Sequence, residues 1–334
     1  MEKMYSVLWY SHNALVEEYR VKQYATLIKL LEENISSELF QKFQKLSQEK
    51  KQVFITHPDQ SSILKCLEFI ENSEIHITKL IAEVEKIISG DNENLVSNSW
   101  DLIAWTNIRL TIQDNNPLNS YDAHPDSDSD DTGGKLGWGS QTPEQWKQVY
   151  DNTFALLQQA DQGFFDELNQ LLQKIVAYGT AKQIHYSASY KECVGTLYMG
   201  YTLWTDIPEL HVLEWLVHES THNKLNLIMQ YEDITLNNFE EKYYSPYRPD
   251  ARHIHGIYLG VHAFVPTMYI LIKAYLKWQI HDKWLWFEKI VLYYLKNKIS
   301  INVLEKHWKF TELGREILDE IIEVQKLTDP LFKQ

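Results

Sequence analysis

Asp206-Ile207-Pro208-Glu209-Leu210 opens the stretch from which the fold of this chain is read, and His218-Glu219-Ser220-Thr221-His222-Asn223-Lys224-Leu225 carries its chemistry. Asp206 is placed to cap a helix, Pro208 suits the first turn, and Glu209 stands three residues after Asp206 as the return arm of a capping box. Beyond it Leu210, Leu213, Leu216, Val217, Leu225 and Ile228 recur mostly at helical spacing. On such a helix His218 and His222 stand one turn apart on one face, where two imidazoles can share a metal ion. Glu219 sits one residue round, placed to act on a water held by that ion or to orient a ligand. The bland alternative is a solvated face with an i,i+4 pair. The apolar flanks argue against it, because burying two histidines and a glutamate with no partner is costly. The pattern reads as a metal site.

Composition sets the frame around that helix. The chain has 334 residues, 44% apolar and 13% aromatic, enough for a large core in one or two domains. Eleven Trp and 20 Tyr point to aromatic packing, or to a broad groove for a flexible ligand. A net charge of −14 argues against nucleic acid and against anionic membrane surfaces as partners. Cys66 and Cys193 stand far apart, so neither a disulfide framework nor a cysteine-based zinc site is expected. Met1-Glu2-Lys3 leads into mixed polar and aromatic residues rather than an apolar leader. The most apolar run, Gly256 to Trp278, carries His262, Lys273 and Pro266 and reads as a buried helix rather than a membrane span. A cytoplasmic protein is expected.

The pattern along the chain predicts a mainly α fold, a multi-helix bundle with a small β hairpin or sheet just before the metal-binding helix. Residues 1–112 form an N-terminal helical region. Leu27, Leu30 and Leu31, then Leu39, Phe40 and Phe43, keep helical spacing; Ile63, Leu64, Leu67 and Ile70 begin another helix after Pro58; and Ile75 to Ile88 form one that stops at Gly90. Trp100 to Ile112 mixes β-branched and aromatic residues and is left open. Residues 113–141 read as an acidic, flexible linker and a candidate lid. Their Pro125-Asp126-Ser127-Asp128-Ser129-Asp130-Asp131-Thr132-Gly133-Gly134 run lacks the placed glycine and terminal glutamate of a calcium loop. Residues 142–334 form the metal-binding catalytic domain. It opens on Thr142-Pro143-Glu144-Gln145, a capping box, and helical periodicity is expected to Tyr178 with an interruption near Gly163. Between Gln183 and Tyr201 the period changes to that of short strands or a hairpin, since Ile184, Tyr186, Tyr190, Val194 and Tyr198 share one parity. The free edge of such a pair suits an extended peptide. Helices over Ile257–Trp278, Lys283–Ile299 and Val303–Leu327 follow.

Two histidines do not complete a catalytic site, which needs a third protein ligand with open positions beside it. His262, in Gly260-Val261-His262-Ala263-Phe264, is the first choice. His253 and His255 lie in a loop before Gly256, and Asp250, Glu240 or Glu241 would serve in a site of two histidines and one carboxylate. Of five arginines, Arg248 and Arg252 fall four residues apart between the metal helix and His262. Arginine suits bidentate recognition of a carboxylate, so a metal beside this pair fits a small acidic co-substrate anchored at its far end.

His218-Glu219-Ser220-Thr221-His222-Asn223-Lys224-Leu225, Tyr244-Ser245-Pro246-Tyr247-Arg248, Arg252, Gly256 and Gly260-Val261-His262-Ala263-Phe264 together resemble the HExxH-motif peptide-modification family of ribosomal peptide natural-product pathways. The likeness covers about residues 206 to 270. The sequence departs from the family pattern at His253, where proline is common, and at Leu259, where many members place a histidine. The resemblance implies an oxygenase dependent on Fe(II) and 2-oxoglutarate that hydroxylates a side-chain β-carbon of a precursor peptide. His218, His222 and His262 would hold the iron, Arg252 or Arg248 would take the distal carboxylate of 2-oxoglutarate, and Glu219 would fix a ligand or the substrate. The alternative reading is a zinc metallopeptidase in which Glu219 is the general base. The arginine pair favours the oxygenase, as does the lack of a recognisable peptidase third-ligand signature downstream. A helical module with a structural metal is the weakest reading, because such sites are usually closed by cysteines.

Overall fold

The computed structural model describes residues 11–60, 62–63, 74–90, 101–112, 134–180, 187–191, 193–200, 207–277 and 283–332. The described residues are mainly helical with one small sheet, as the pattern predicts. They fall into two compact units interleaved in sequence, whereas the sequence suggested consecutive regions. One unit takes residues 13–148 and 169–205; the other takes 149–168 and 206–334, with residues 1–12. The acidic run after Pro125 lies outside the described residues.

In the first unit four helices surround an apolar cluster: α1 (Ser11–Asn34), α2 (Ser37–Gln44), α3 (Gln48–Thr56) and α4 (Glu74–Ser89). Leu31, Phe43, Phe54, Leu80, Val84 and Ile87 form its buried centre, with Phe43 and Phe54 edge to face at 5.6 Å. Ser36 and Ser47 cap α2 and α3 by accepting from the amides of Leu39 and Lys50. The helix expected to stop at Gly90 does so, with that residue in the left-handed conformation at φ 82°.

The same unit holds the sheet, in the order β1 (Arg109–Thr111), β3 (Lys174–Thr180), β5 (Thr196–Met199), β4 (Ser187–Ala188); β2 (Gly134–Leu136) pairs with the far end of β3. The expected hairpin is the antiparallel pair β4 and β5, Ser187 opposite Met199 and Ala188 opposite Tyr198. Two expectations fail nearby. Helical structure ends at Leu171 rather than Tyr178, and Lys174–Thr180 is the central strand, parallel to β1 and β5 and antiparallel to β2. Ile175, Val176 and Ala177 are all buried, so both faces of β3 are covered, and a continuous apolar run does not distinguish strand from helix. Gly134–Leu136, assigned above to the linker, is also a strand. At its foot β3 buries Lys174 against the carboxylate of Asp59.

The second unit is a helical bundle. It comprises the later turns of α5 (Pro143–Ala160), most of α6 (Gln162–Leu171), α7 (Pro208–Ile228), α8 (Ile254–Lys277), α9 (Lys283–His307) and α10 (Glu312–Thr328). The expected interruption near Gly163 is the break at Asp161, whose carboxylate accepts from the Phe164 amide and pairs with Lys273. α8 is the central element, packed against α7, α9 and α10. It is long and apolar enough to cross a membrane, yet 67% of its most apolar window is buried inside the fold, and it is a core helix. α9 runs through to His307 instead of stopping at Ile299, because Asn297 and Ser300 are buried within it rather than marking a turn. The chain turns at Trp308–Thr311, where Thr311 caps α10 through the Gly314 amide.

Gly314 fixes how closely α10 approaches the loop after α7. A Cβ there would lie 2.0 Å from the carbonyl oxygen of Ile234, and Tyr258 donates to the carbonyl of Gly314 from the other side. Backbone on one side and a buried tyrosine on the other leave no room to yield. Gly314→Ala is therefore expected to lower unfolding stability by about 2–3 kcal/mol in denaturant titration; an unchanged midpoint and slope would show that the loop gives way.

Candidate metal centre

α7 positions the two motif histidines in the interior of the second unit. The helix begins at Pro208 in its first turn with Ile207 as the cap residue, and Ile207 offers no side-chain cap. The capping role expected of Asp206 lies outside the described residues, and Glu209 instead accepts from Asn152 at 3.0 Å. Leu210, Leu213, Leu216, Val217 and Leu225 are buried as their spacing predicts, and they carry His218 (8% exposed) and Glu219 in with them. His222 is partly open.

The histidines face each other through their Nε2 atoms at 3.1 Å. Two nitrogens about 2.1 Å from one ion, at right-angle to tetrahedral geometry, are about 3.0–3.4 Å apart. The separation fits adjacent ligands of one metal ion. Burial pushes the His222 imidazole down to about 4. It pushes His218 well below the usual range too, helped by His222 and by the positive field of Arg248. Both rings are therefore neutral near pH 7, the form that ligates. Among the described residues the buried His218 Nδ1 atom has no hydrogen-bond partner, so packing rather than a carboxylate holds its ring.

That packing is aromatic. Trp215 meets the His218 ring at 5.4 Å and Phe264 meets it at 4.4 Å. Tyr247 stacks on the other side of Phe264 at 4.5 Å, and Tyr293 abuts it at 5.0 Å. Gly260 makes this possible, since a Cβ there would come within 3.0 Å of the Tyr247 ring. The Tyr247 hydroxyl donates to the Asn297 side-chain oxygen, and the Asn297 amide reaches the Phe264 carbonyl at 3.4 Å. One turn before His218, the buried carboxylate of Glu214 takes a hydrogen bond from Tyr293 and an ion pair from Lys289. Two residues after His222, buried Lys224 pairs with Glu167 at 2.7 Å; burial raises Glu167 to about 7 and lowers Lys224. These contacts fix α7 against α9 and α6 on either side of the pair.

The loop from Tyr243 to Arg252 brings in the arginines. Its ends are closed by reciprocal backbone hydrogen bonds between Tyr243 and Arg252, at 2.7 and 2.8 Å. Tyr247 anchors its interior, and Arg248 follows directly, close enough for its charge to act on His218. Arg252 is half-exposed and paired with Asp250 at 2.9 Å. Of the two arginines, exposed Arg248 exerts the smallest of three influences on His218, and Arg252 pairs with Asp250.

The other expected ligands are not brought to the pair. Phe264 of α8 touches His218, and His262 is buried two positions before it on the same helix. His253 caps α8 through the Gly256 amide, and His255 lies 3.4 Å from the Thr235 hydroxyl, with Phe239 against both rings. Among the described residues no group of three His, Cys, Asp or Glu side chains stands ready for an ion. The sequence reading named Tyr247 and Phe264 only within the resemblance, with no role, and did not single out Glu214, Tyr293 and Asn297. A signal for two of them was present: Glu214 precedes His218 by one turn on the same face, and Gly260 precedes Phe264 by one turn.

No protein-family model matches this chain, and no curated protein matches it.

The geometry ranks the histidines. In titrations with Co(II) or Zn(II), His218→Ala and His222→Ala are expected to lose more than about tenfold in affinity, and His262→Ala to stay near wild type. Because both rings are already neutral, wild-type affinity should hold between pH 7 and 5.5. A pair at the ordinary value of 6.5 would lose about tenfold per ring over that interval. A loss at His262→Ala as large as at His218→Ala would reinstate it as a ligand.

Proposed function

We propose that the chain is an oxygenase dependent on Fe(II) and 2-oxoglutarate that hydroxylates a side-chain carbon, a β-carbon by its family resemblance, in a ribosomally made precursor peptide. The observation that carries the proposal is the buried Nε2 pair of His218 and His222 under the field of one arginine, Arg248. Two neutral imidazoles at adjacent positions leave the remaining positions of the ion to a chelating oxoacid and dioxygen. When bound, the iron supplies the oxidation: one oxygen atom enters a C–H bond and the other is taken up as 2-oxoglutarate becomes succinate and carbon dioxide. The protein supplies placement. Arg248 is suited to the distal carboxylate, and Trp215, Phe264 and Tyr247 wall the pair with apolar surface that excludes water. Glu219, buried beside His218, would orient a ligand or the peptide.

The zinc peptidase stands as the second reading, because the same helix places Glu219 where a general base would be needed. The arginine separates them. A peptidase has no evident use for an arginine four residues from another beside the motif, whereas an oxoacid leaves a carboxylate to be neutralised.

Succinate release under air tests the proposal. Arg248→Ala is expected to weaken apparent 2-oxoglutarate affinity by about 30-fold or more, on the order of 2 kcal/mol, with metal content unchanged. Arg252→Ala is expected to do so far less, since its partner is Asp250. The reverse ranking would make Arg252 the anchor. Peptide cleavage that needs neither oxygen nor 2-oxoglutarate, and is abolished by Glu219→Gln, would establish the peptidase.

A further inference from the structure

The loop from Tyr243 to Arg252 is closed on itself. Backbone hydrogen bonds between Tyr243 and Arg252 join its ends, and the Arg248 amide donates to the Ser245 carbonyl at 3.4 Å within it. Tyr244 is 66% exposed and residues 248–251 are exposed as well. A compact surface loop with joined ends is a unit that can let go without the rest of the fold. Tyr247 is the residue that fastens it. Its ring sits over Gly260 and stacks on Phe264 at 4.5 Å, 16° from parallel, and its hydroxyl donates to the buried side chain of Asn297.

The same Phe264 ring meets His218 at 4.4 Å, tilted by 58°. One ring therefore stands between the fastening of the loop and the histidine pair. The turn of α8 that carries Phe264 lacks a ladder bond, because Pro266 has no amide to give the His262 carbonyl, and it is easier to shift than an unbroken turn. On the other side, His218 is held by ring packing and by the contact of its Nε2 atom with that of His222. An ion bound at Nε2 constrains that ring further, since a metal–nitrogen bond is short and directional. A fixed His218 gives Phe264 a fixed surface, and a fixed Phe264 seats Tyr247.

We propose that Tyr247 is the latch of the loop bearing Arg248 and Arg252, and that Phe264 couples this latch to the histidine pair, so that an ion on His218 and His222 tightens the loop. The proposal rests on the metal-centre reading and adds an order of events: metal first, then a firm loop, then an anionic co-substrate. The coupling is reciprocal, so the ion and the closed loop favour each other by one and the same factor. Tyr247 and Phe264 act through His218 and are positioning residues.

Hydrogen–deuterium exchange of the segment 243–252, with and without Zn(II) at a concentration that saturates the wild type, tests both parts. Zn(II) should slow exchange of this segment about fivefold or more in the wild type. The same addition should leave it unchanged in His222→Ala, which lacks a ligand, and in Phe264→Leu, which keeps the ligands and loses the connecting ring. Without metal, Tyr247→Phe should speed exchange about fivefold, the loss of one neutral hydrogen bond. In each protein the segment should exchange faster than α10, so that the readout is local release and not unfolding. Circular dichroism checks that each variant is folded, and Phe264→Met takes the place of Phe264→Leu if that variant is not. Exchange indifferent to Zn(II) in the wild type, or protection that survives in Phe264→Leu, overturns the coupling. Equal exchange in Tyr247→Phe and wild type overturns the latch, as does exchange no faster than that of α10. A wild type that takes up no Zn(II) in calorimetry removes the metal centre and the coupling with it, while the Tyr247→Phe comparison still decides the latch. None of these readouts requires 2-oxoglutarate or activity, so failure of the proposed chemistry alone would leave them standing.

Discussion

The aromatic cluster in which Tyr247 stacks on Phe264, and Phe264 meets His218 at a tilt, is the contact on which the candidate site depends. It joins three separate pieces of sequence: the loop after α7, the central helix α8 and α7 itself. Gly260 opens the notch that admits Tyr247, and Asn297 ties the tyrosine hydroxyl to the Phe264 backbone. Among the described residues the His218 Nδ1 atom has no hydrogen-bond partner, and Trp215 and Phe264 pack against the ring. The same stack places the loop, and with it Arg248. One packing arrangement therefore sets both the ligand geometry and the charge beside it.

Burial is the second constraint. Removing two imidazoles from water disfavours their charged forms, so the pair stays neutral and 3.1 Å apart without repulsion. The charges nearby are compensated in turn: Glu214 by Tyr293 and Lys289, and Lys224 by Glu167. Removing one member of either pair would leave a buried ion uncompensated, which is far more costly than the pair is stabilising. The ionic groups around α7 thus hold the helix in register around a neutral histidine pair.

The metal helix was legible in sequence because apolar spacing, a first-turn proline and the His218/His222 interval act within one element. The antiparallel pair before it was legible in place, although of Tyr190, Val194 and Tyr198 only Tyr198 lies in a strand. β3 was not, because a strand covered on both faces shows an unbroken apolar run that helical periodicity matches equally well. The break after α9 was misplaced because Asn297 and Ser300 look like turn residues, and only the packing of Tyr247 and α8 explains their burial. His262 illustrates the same limit: its sequence neighbourhood suits a ligand, but the α8 ring that packs on His218 is Phe264, two positions on. Local chemistry was readable, whereas the partner of each face was not.

The central claim is that a metal ion on His218 and His222 creates the site for an oxoacid. Calorimetric titration of 2-oxoglutarate under anaerobic conditions, into protein loaded with Fe(II) and into metal-free protein, tests it most directly. Saturable one-to-one binding only to the loaded protein, absent in His222→Ala, is the predicted result. Equal binding with and without metal, or none in either, would contradict it.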